Sequence, residues 1–256
     1  MLVHYQSLIL LLGIFLMVGY GLYQTHIRGK IPHIRRIAAL EAIDEAIGRA
    51  METGKKVHCG LTHVEIFGAY AIQSLASFAL ASYWARKAAE YGVPAIYTTD
   101  TIPSYPIYEG LIRDAYVSAG KLEDFNDPHK VQIRVMTGPY DLAVAGVLQR
   151  ENVGAGLISG EVGRYVLQFG EAHRVADAFS IIGMPIIDKL EWSVATFDYV
   201  FMLSETYAAG AWITKDKTQL GHIIGSDIAT WVAIILFIAF FVVANILGSP
   251  LTFLGR

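Results

Sequence analysis

The sequence predicts an α/β fold, a mainly parallel sheet of Rossmann-like βα units flanked by one N-terminal and one C-terminal transmembrane helix. Three observations carry this expectation. Residues 1–27 and 228–255 contain no Lys, Arg, Asp or Glu. The stretch from Arg28 to Asp227 holds all 23 acidic residues and all of the 20 basic ones except Arg256. Within that stretch, short apolar runs alternate with segments of helical periodicity. The 17% charge and mean hydropathy of +0.43 are therefore averages over an ordinary domain and two neutral ends, since soluble domains carry about a quarter charged residues. A plain soluble protein, a disordered chain and a polytopic transporter are excluded. The expected organisation is a helix in 1–27, a cytoplasmic α/β domain in 28–227, and a helix with a short tail in 228–256.

The first apolar run is Leu8–Tyr23, about 19 residues once Tyr5 and Ser7 are counted, close to the ~20 that a helix needs to cross a bilayer core. A cleaved signal peptide needs positive charge before the run. Here the charges come after it, at Arg28, Lys30, Arg35 and Arg36, so the run reads as an uncleaved anchor. Gly13, Gly19 and Gly21 in it invite close approach of another helix. The second run, Ile228–Leu247, is 20 residues with Asn245 its one polar amide and Trp231 near one end, where an aromatic ring suits the headgroup level. Lys215 and Lys217 precede it, and only Arg256 lies beyond. Positive-inside counting therefore places the domain in the cytoplasm and both termini outside.

In the middle, Ile34, Ile37, Leu40, Ile43 and Ile47 mark one face of a helix that starts after Pro32 and ends at Gly54. Val57–Leu61 reads as a strand. Tyr70–Tyr91 is a long helix rich in Ala and Ser, closed by Gly92. Gln73, Ser74, Ser77 and Ser82 interrupt its apolar surface, which argues against a third membrane span. The order then continues as Val93–Thr99 (strand), Ile107–Ala119 (helix), Val131–Thr137 (strand), Leu142–Arg150 (helix), Gly156–Ser159 (strand), Glu161–Val175 (helix), Ala178–Gly183 (strand), Ile186–Trp192 (short helix), Phe197–Leu203 (strand) and Glu205–Ile213 (helix). This succession means right-handed βαβ units. Three strands precede Asn152 and three follow it, which admits two βαβαβα halves, 28–151 and 152–227.

Ligands of such sheets bind outside the carboxyl ends of the strands. The candidate ligand-binding residues there are Thr99, Asp100, Thr137, Gly138, Ser159, Gly160, Ser204 and Glu205. The competing reading is that βα turns use Gly, Ser, Thr and Asp as caps and turn formers anyway. Gly154, Gly156, Gly160 and Gly163 do not make a dinucleotide fingerprint: the first two precede the expected strand, and Glu161 repels a phosphate. There is no Walker A sequence and no G-x-S-x-G elbow. His58, Cys59, His63 and Glu65 are the one cluster of metal-ligand types, but the chain has no second cysteine for a zinc deaminase site. No metal site, catalytic residue or cofactor is assigned. Glu171, Asp198 and Glu205 are the carboxylates that a hydrolase or transferase would use. The net charge of −3 gives no footprint for nucleic acid.

The order of features resembles a known family. RRIAALEAIDEAIGRAMETGKKVH (Arg35–His58), the run of βα units with Ser159–Glu171, and SETYAAGAWI (Ser204–Ile213) before a terminal span are similar to an uncharacterised prokaryotic membrane-protein family, defined only as a domain of unknown function. The resemblance covers about residues 30–227 and departs at Glu171–Arg174 and Ser193–Phe197. It implies architecture and brings no activity, cofactor or site residue. The function expected from all of this is a membrane-anchored scaffold or assembly subunit, with the lipid bilayer and further copies of itself or a membrane complex as partners. The alternatives are a tethered sensor of a nucleotide or small acid at the strand ends, and an enzyme using the second-half carboxylates.

Overall fold

The computed structural model describes residues 3–68, 70–184 and 187–247. Ile186, the expected start of a short helix, and the tail through Arg256 lie outside them. The elements in chain order are α1 (Val3–His26), α2 (Ala38–Glu52), β1 (Lys56–Thr62), α3 (Ala71–Tyr91), β2 (Ala95–Thr99), α4 (Tyr105–Ser118), α5 (Leu122–Asn126) and β3 (Val131–Val135). There follow α6 (Tyr140–Arg150), β4 (Val153–Gly160), α7 (Val166–Val175), β5 (Phe179–Met184), α8 (Leu190–Thr196), β6 (Tyr199–Met202), α9 (Ser204–Thr214) and α10 (Lys217–Leu247). The chain divides into a helical unit, residues 1–34 with 215–256, and an α/β unit, Arg35–Thr214.

In the helical unit α1 and α10 are the two helices, among the described residues, long and apolar enough to cross a membrane. The second begins 11 residues before the apolar run at Ile228. Asp216 starts it, its carboxylate accepting the N–H groups of Thr218 and Gln219 at 2.9 Å each. At 31 residues α10 is about 46 Å long, well beyond a hydrocarbon core of ~30 Å. The two helices meet through glycine. A Cβ on Gly21 would overlap the carbonyl of Gly221 and stand 2.8 Å from the nitrogen of Gly225. One on Gly225 would stand 2.9 Å from Val18 Cα, and one on Gly221 3.0 Å from Leu22 Cα. Gly221-x-x-x-Gly225 is thus a small-residue crossing motif. Of the three glycines singled out in the first span, only Gly21 takes part: Gly13 faces only Met17, and Gly19 faces open space. Gln24 and Thr25 are buried in this unit, and Thr25 Oγ1 donates back to the carbonyl of Leu22.

In the α/β unit six parallel strands form one sheet in the order β3-β2-β1-β4-β5-β6. Two three-stranded halves, each wound outward from the centre, give this order, and β1 beside β4 joins them. Helices α2, α3, α4 and α9 associate on one face and α6, α7 and α8 on the other. The central strands are buried throughout: β2 is covered at every residue, and β1 from Val57 on. Alternation along β1 sends Val57, Cys59 and Leu61 to one face and His58 to the other. Helix α3 lies close to α9 because a Cβ on Gly210 would stand only 3.2 Å from Ala76 Cα. The Ala and Ser of α3 therefore serve packing inside the α/β unit, where 13 of its residues are buried.

Three expectations shift in the structure. The helix after Pro32 begins only at Ala38, and Ile37 is extended (φ −104°). Arg35 and Arg36 precede the helix, paired at 2.5 Å each with Glu205 and with Glu41 of its first turn. Strand β4 begins at Val153, so Gly154 and Gly156 lie inside it. The side chain of Lys55 covers Gly154 and that of His173 covers Gly156, filling the space a Cβ would take. The helix expected from Glu161 starts at Val166, after a short 3₁₀ turn. Helix α5 had no counterpart in the sequence reading.

Glu151, after the last turn of α6, accepts from Lys56 and Arg134 at 2.6 Å each and so ties the start of β1 to β3. These hydrogen bonds hold its carboxyl down to about 2. Glu151→Gln leaves two cations facing each other and is expected to destabilise the chain by about 1 kcal/mol. Urea denaturation at pH 7 measures it. The difference between the two proteins should shrink as the pH falls from 4.5 toward 2, because a depressed carboxyl gives its full stabilisation above its unfolded pKa and loses it as the pH falls through the folded one.

Candidate functional site

The strand order reverses direction between β1 and β4, so the candidate site is the carboxyl edge at their exits. At the exit of β1 the chain turns through His63, in the left-handed region at φ 44°. Its backbone N–H donates to Asp100 Oδ1 at 2.8 Å, and its ring Nδ1 lies 2.9 Å from Asp100 Oδ2. Asp100, at the exit of β2, also accepts from the Thr101 hydroxyl at 2.8 Å, and its side chain is only 12% exposed. One carboxylate thus fixes two neighbouring βα turns. The next carbonyl, Val64, accepts from the Ser104 hydroxyl. The Glu65 N–H donates to Ser74 Oγ at 2.8 Å, and that hydroxyl donates to the Tyr70 carbonyl at 3.0 Å. The loop is therefore laced to the first turn of α3.

At the exit of β4 the ladder runs to its last residue. Glu161 N–H donates to the Thr62 carbonyl at 3.0 Å. Gly160, at φ 117°, packs so closely on Thr62 that a Cβ would overlap its carbonyl. Glu65 lies against Gly68, at φ 125°, and Glu161 against Gly163, at φ 55°. Two carboxylates so flank the reversal point, which disfavours a phosphate there.

The eight sequence-predicted residues all fall on or beside the carboxyl edge, but in separate groups. Thr99 and Asp100 sit at β2, with Thr99 Oγ1 accepting the Thr101 N–H at 3.2 Å. Thr137 and Gly138 are exposed after β3. Ser159 is buried in β4, its hydroxyl donating to Ser77 Oγ at 2.9 Å, next to Gly160. Ser204 and Glu205 stand at β6, where Glu205 binds Arg35 and accepts the Met202 N–H at 3.2 Å. The side-chain oxygens of Thr99, Asp100, Ser159 and Glu205 are each bonded to the protein itself, as turn-fixing groups are. Sequence reasoning missed Gln73. One helical turn beyond it Ser77 reaches Ser159, so Gln73 lies toward the strand ends, 6% exposed, and its Nε2 has no partner.

The carboxylates proposed for hydrolysis do not converge. Asp198 accepts from the Ser180 N–H and hydroxyl at the amino end of the sheet, Glu205 is at the carboxyl end, and Glu171 pairs with Arg174 on the surface of α7. The metal-type cluster is dispersed as well: His58 and Cys59 are buried on opposite faces of β1, and no group of three ligating residues occurs among the described residues. Burial pushes the Cys59 thiol up to about 12.

Across the sheet, His58 Nε2 lies 2.9 Å from Thr98 Oγ1, which lies 2.7 Å from the Tyr140 hydroxyl. His173, on the same face, donates through Nδ1 to the Phe169 carbonyl at 2.7 Å. Both imidazoles are fully buried, and His58 Nδ1 and His173 Nε2 have no partner.

The family described as a domain of unknown function, DUF6754, matches residues 2–252. The chain belongs to this family. The DUF6754 match runs through α1 and α10 as well as the sheet, wider than the stretch 30–227 that carried the resemblance, so both apolar helices are part of what the family shares. No curated protein and no solved structure matches the chain.

Proposed function

We propose that the chain is a membrane-anchored scaffold or assembly subunit, homo-oligomeric, with its α/β unit on the cytoplasmic side. The observation that carries this is an uncovered apolar run where β1 passes into α3. Phe67 is 88% exposed, Ile72 73% and Leu75 58%, with Ile66 and Tyr70 beside them. A side chain as large as phenylalanine, left in water amid apolar neighbours, is characteristic of an association surface. The engaged side-chain oxygens of Thr99, Asp100, Ser159 and Glu205 and the apolar helix pair favour the same reading. Native mass spectrometry of the gently extracted chain tests it. A multimer is expected, and Phe67→Ser with Ile72→Ser should weaken it at least tenfold. A monomer without partner at every detergent concentration refutes the reading.

The second reading, a tethered sensor of a nucleotide or small acid, is favoured by one observation, the buried and unpaired Gln73 amide. Its mark is a small ligand that co-purifies and is lost on Gln73→Leu or Asp100→Ala. The flanking Glu65 and Glu161 favour a ligand without a phosphate.

A further inference from the structure

We infer that the helical unit holds one anionic phospholipid, in a groove beside the end of α1. This rests on the membrane reading above and adds a ligand to it. The groove has a volume of about 520 Å³ and is lined by Gly19, Leu22, Tyr23, His26, Ile27 and Thr218. From Gly19 to Ile27 is two helical turns, about 12 Å along the axis, enough to seat the upper part of an acyl chain against Leu22 and the Tyr23 ring. Gly19 is the floor: a Cβ there meets nothing within 4 Å, so the groove persists because that position has no side chain.

The charge at the mouth selects the headgroup. Arg28 sits over the Tyr23 ring, 5.6 Å from its centroid. Lys217 precedes Thr218 in the groove wall, and Lys30 and Lys215 are close in sequence, all four cations being exposed. Residues 1–34 contain no acid, and the one acid among residues 215–226 is Asp216, whose Oδ1 caps α10. The exposed His26 ring and the Thr218 hydroxyl offer polar groups at the same end. A groove that is apolar at depth and cationic at the rim fits an acyl chain below an anionic headgroup, and juxtamembrane basic groups attract such lipids at about fivefold per charge.

The test incubates the whole chain, in mild detergent, with equal amounts of phosphatidylglycerol and phosphatidylcholine of the same acyl composition, and counts retained lipid by native mass spectrometry. One phosphatidylglycerol per chain is expected. Gly19→Phe, whose Cβ meets nothing within 4 Å and which puts a ring on the groove lining, should lower retention at least tenfold. So should Arg28→Gln with Lys217→Gln, which leaves the groove open. Equal retention of the two lipids, or undiminished phosphatidylglycerol in both variants, overturns the proposal. Liposome flotation of the wild-type chain separates the two readings. A chain that floats but keeps no anionic lipid removes the lipid site alone, whereas one that does not float removes the membrane reading and the lipid site with it.

Discussion

Lowering the pH from 7 to 5 is expected to destabilise the α/β unit by about 4 kcal/mol, through two histidines alone. Burial is the first cause of both shifts. It pushes His58 down to about 3, with the charges of His173 and Arg134 adding to it. It pushes His173 down to about 4, against the opposing effects of the Phe169 carbonyl and Asp198. Both are neutral in the fold at pH 5, while in the unfolded chain they protonate near 6.5. A group depressed on folding therefore gives its full stabilisation above the unfolded value and loses it as the pH falls toward the folded one. Each histidine loses roughly 2 kcal/mol between pH 7 and 5. That interval lies above the range in which carboxylates such as Glu151 titrate, so it isolates the imidazoles. Urea denaturation of the intact chain at pH 7, 6 and 5 measures the loss. His58→Gln keeps a group where Nε2 meets Thr98, and His173→Asn keeps the donor to Phe169. Each should roughly halve the pH dependence, whatever it does to stability at pH 7. An unchanged slope in both variants contradicts the assignment.

These histidines also show where the sequence stops being legible. Alternation along a strand places His58 on one face of β1 and Cys59 on the other, which already argues against joint metal ligation. No spacing rule connects His58 to Thr98, 40 residues away, or His173 to Gly156, because those contacts arise only once β1 has paired with β2 and α7 has packed on β4. The six strands were legible because each is a short stretch rich in apolar residues between helical periods, β3 by alternation with Gln132 and Arg134, and the carboxyl-edge candidates followed from their order. The start of β4 was not, because glycine reads as a breaker unless the side chain that fills its place is known, here Lys55 and His173. The late start of α2 likewise comes with a contact no local pattern shows, Arg35 meeting Glu205, 170 residues on. The spread of the candidate residues into groups follows from sheet width: from β3 to β6 spans five inter-strand steps, about 24 Å, too far for one small ligand to touch both ends.

Gly21→Leu is expected to separate α1 from α10. The obstacle its Cβ meets is the backbone of α10, the Gly221 carbonyl and the Gly225 nitrogen, and no rotamer change relieves it. The helices must part by on the order of 1 Å or more, since ordinary carbon contacts lie at about 3.5–4.0 Å. Dispersion between the helices falls with that gap along the whole crossing. In lipid this packing is the main source of association, because apolar surface gains nothing there by leaving the tails for another helix. Leucine is the better helix former by most of the ~1 kcal/mol that glycine sacrifices. α1 itself should therefore remain helical, and what is lost is the pairing. Thr25, 2% exposed one turn beyond Gly21, reports it. In a Thr25→Cys chain, maleimide should react slowly, and the native Cys59, buried with its thiol raised to about 12, should contribute little background. Adding Gly21→Leu should raise the labelling rate at least tenfold, while Gly13→Leu, facing only Met17 in its own helix, should leave it unchanged. Equal rates in the two variants are incompatible with a glycine-mediated crossing.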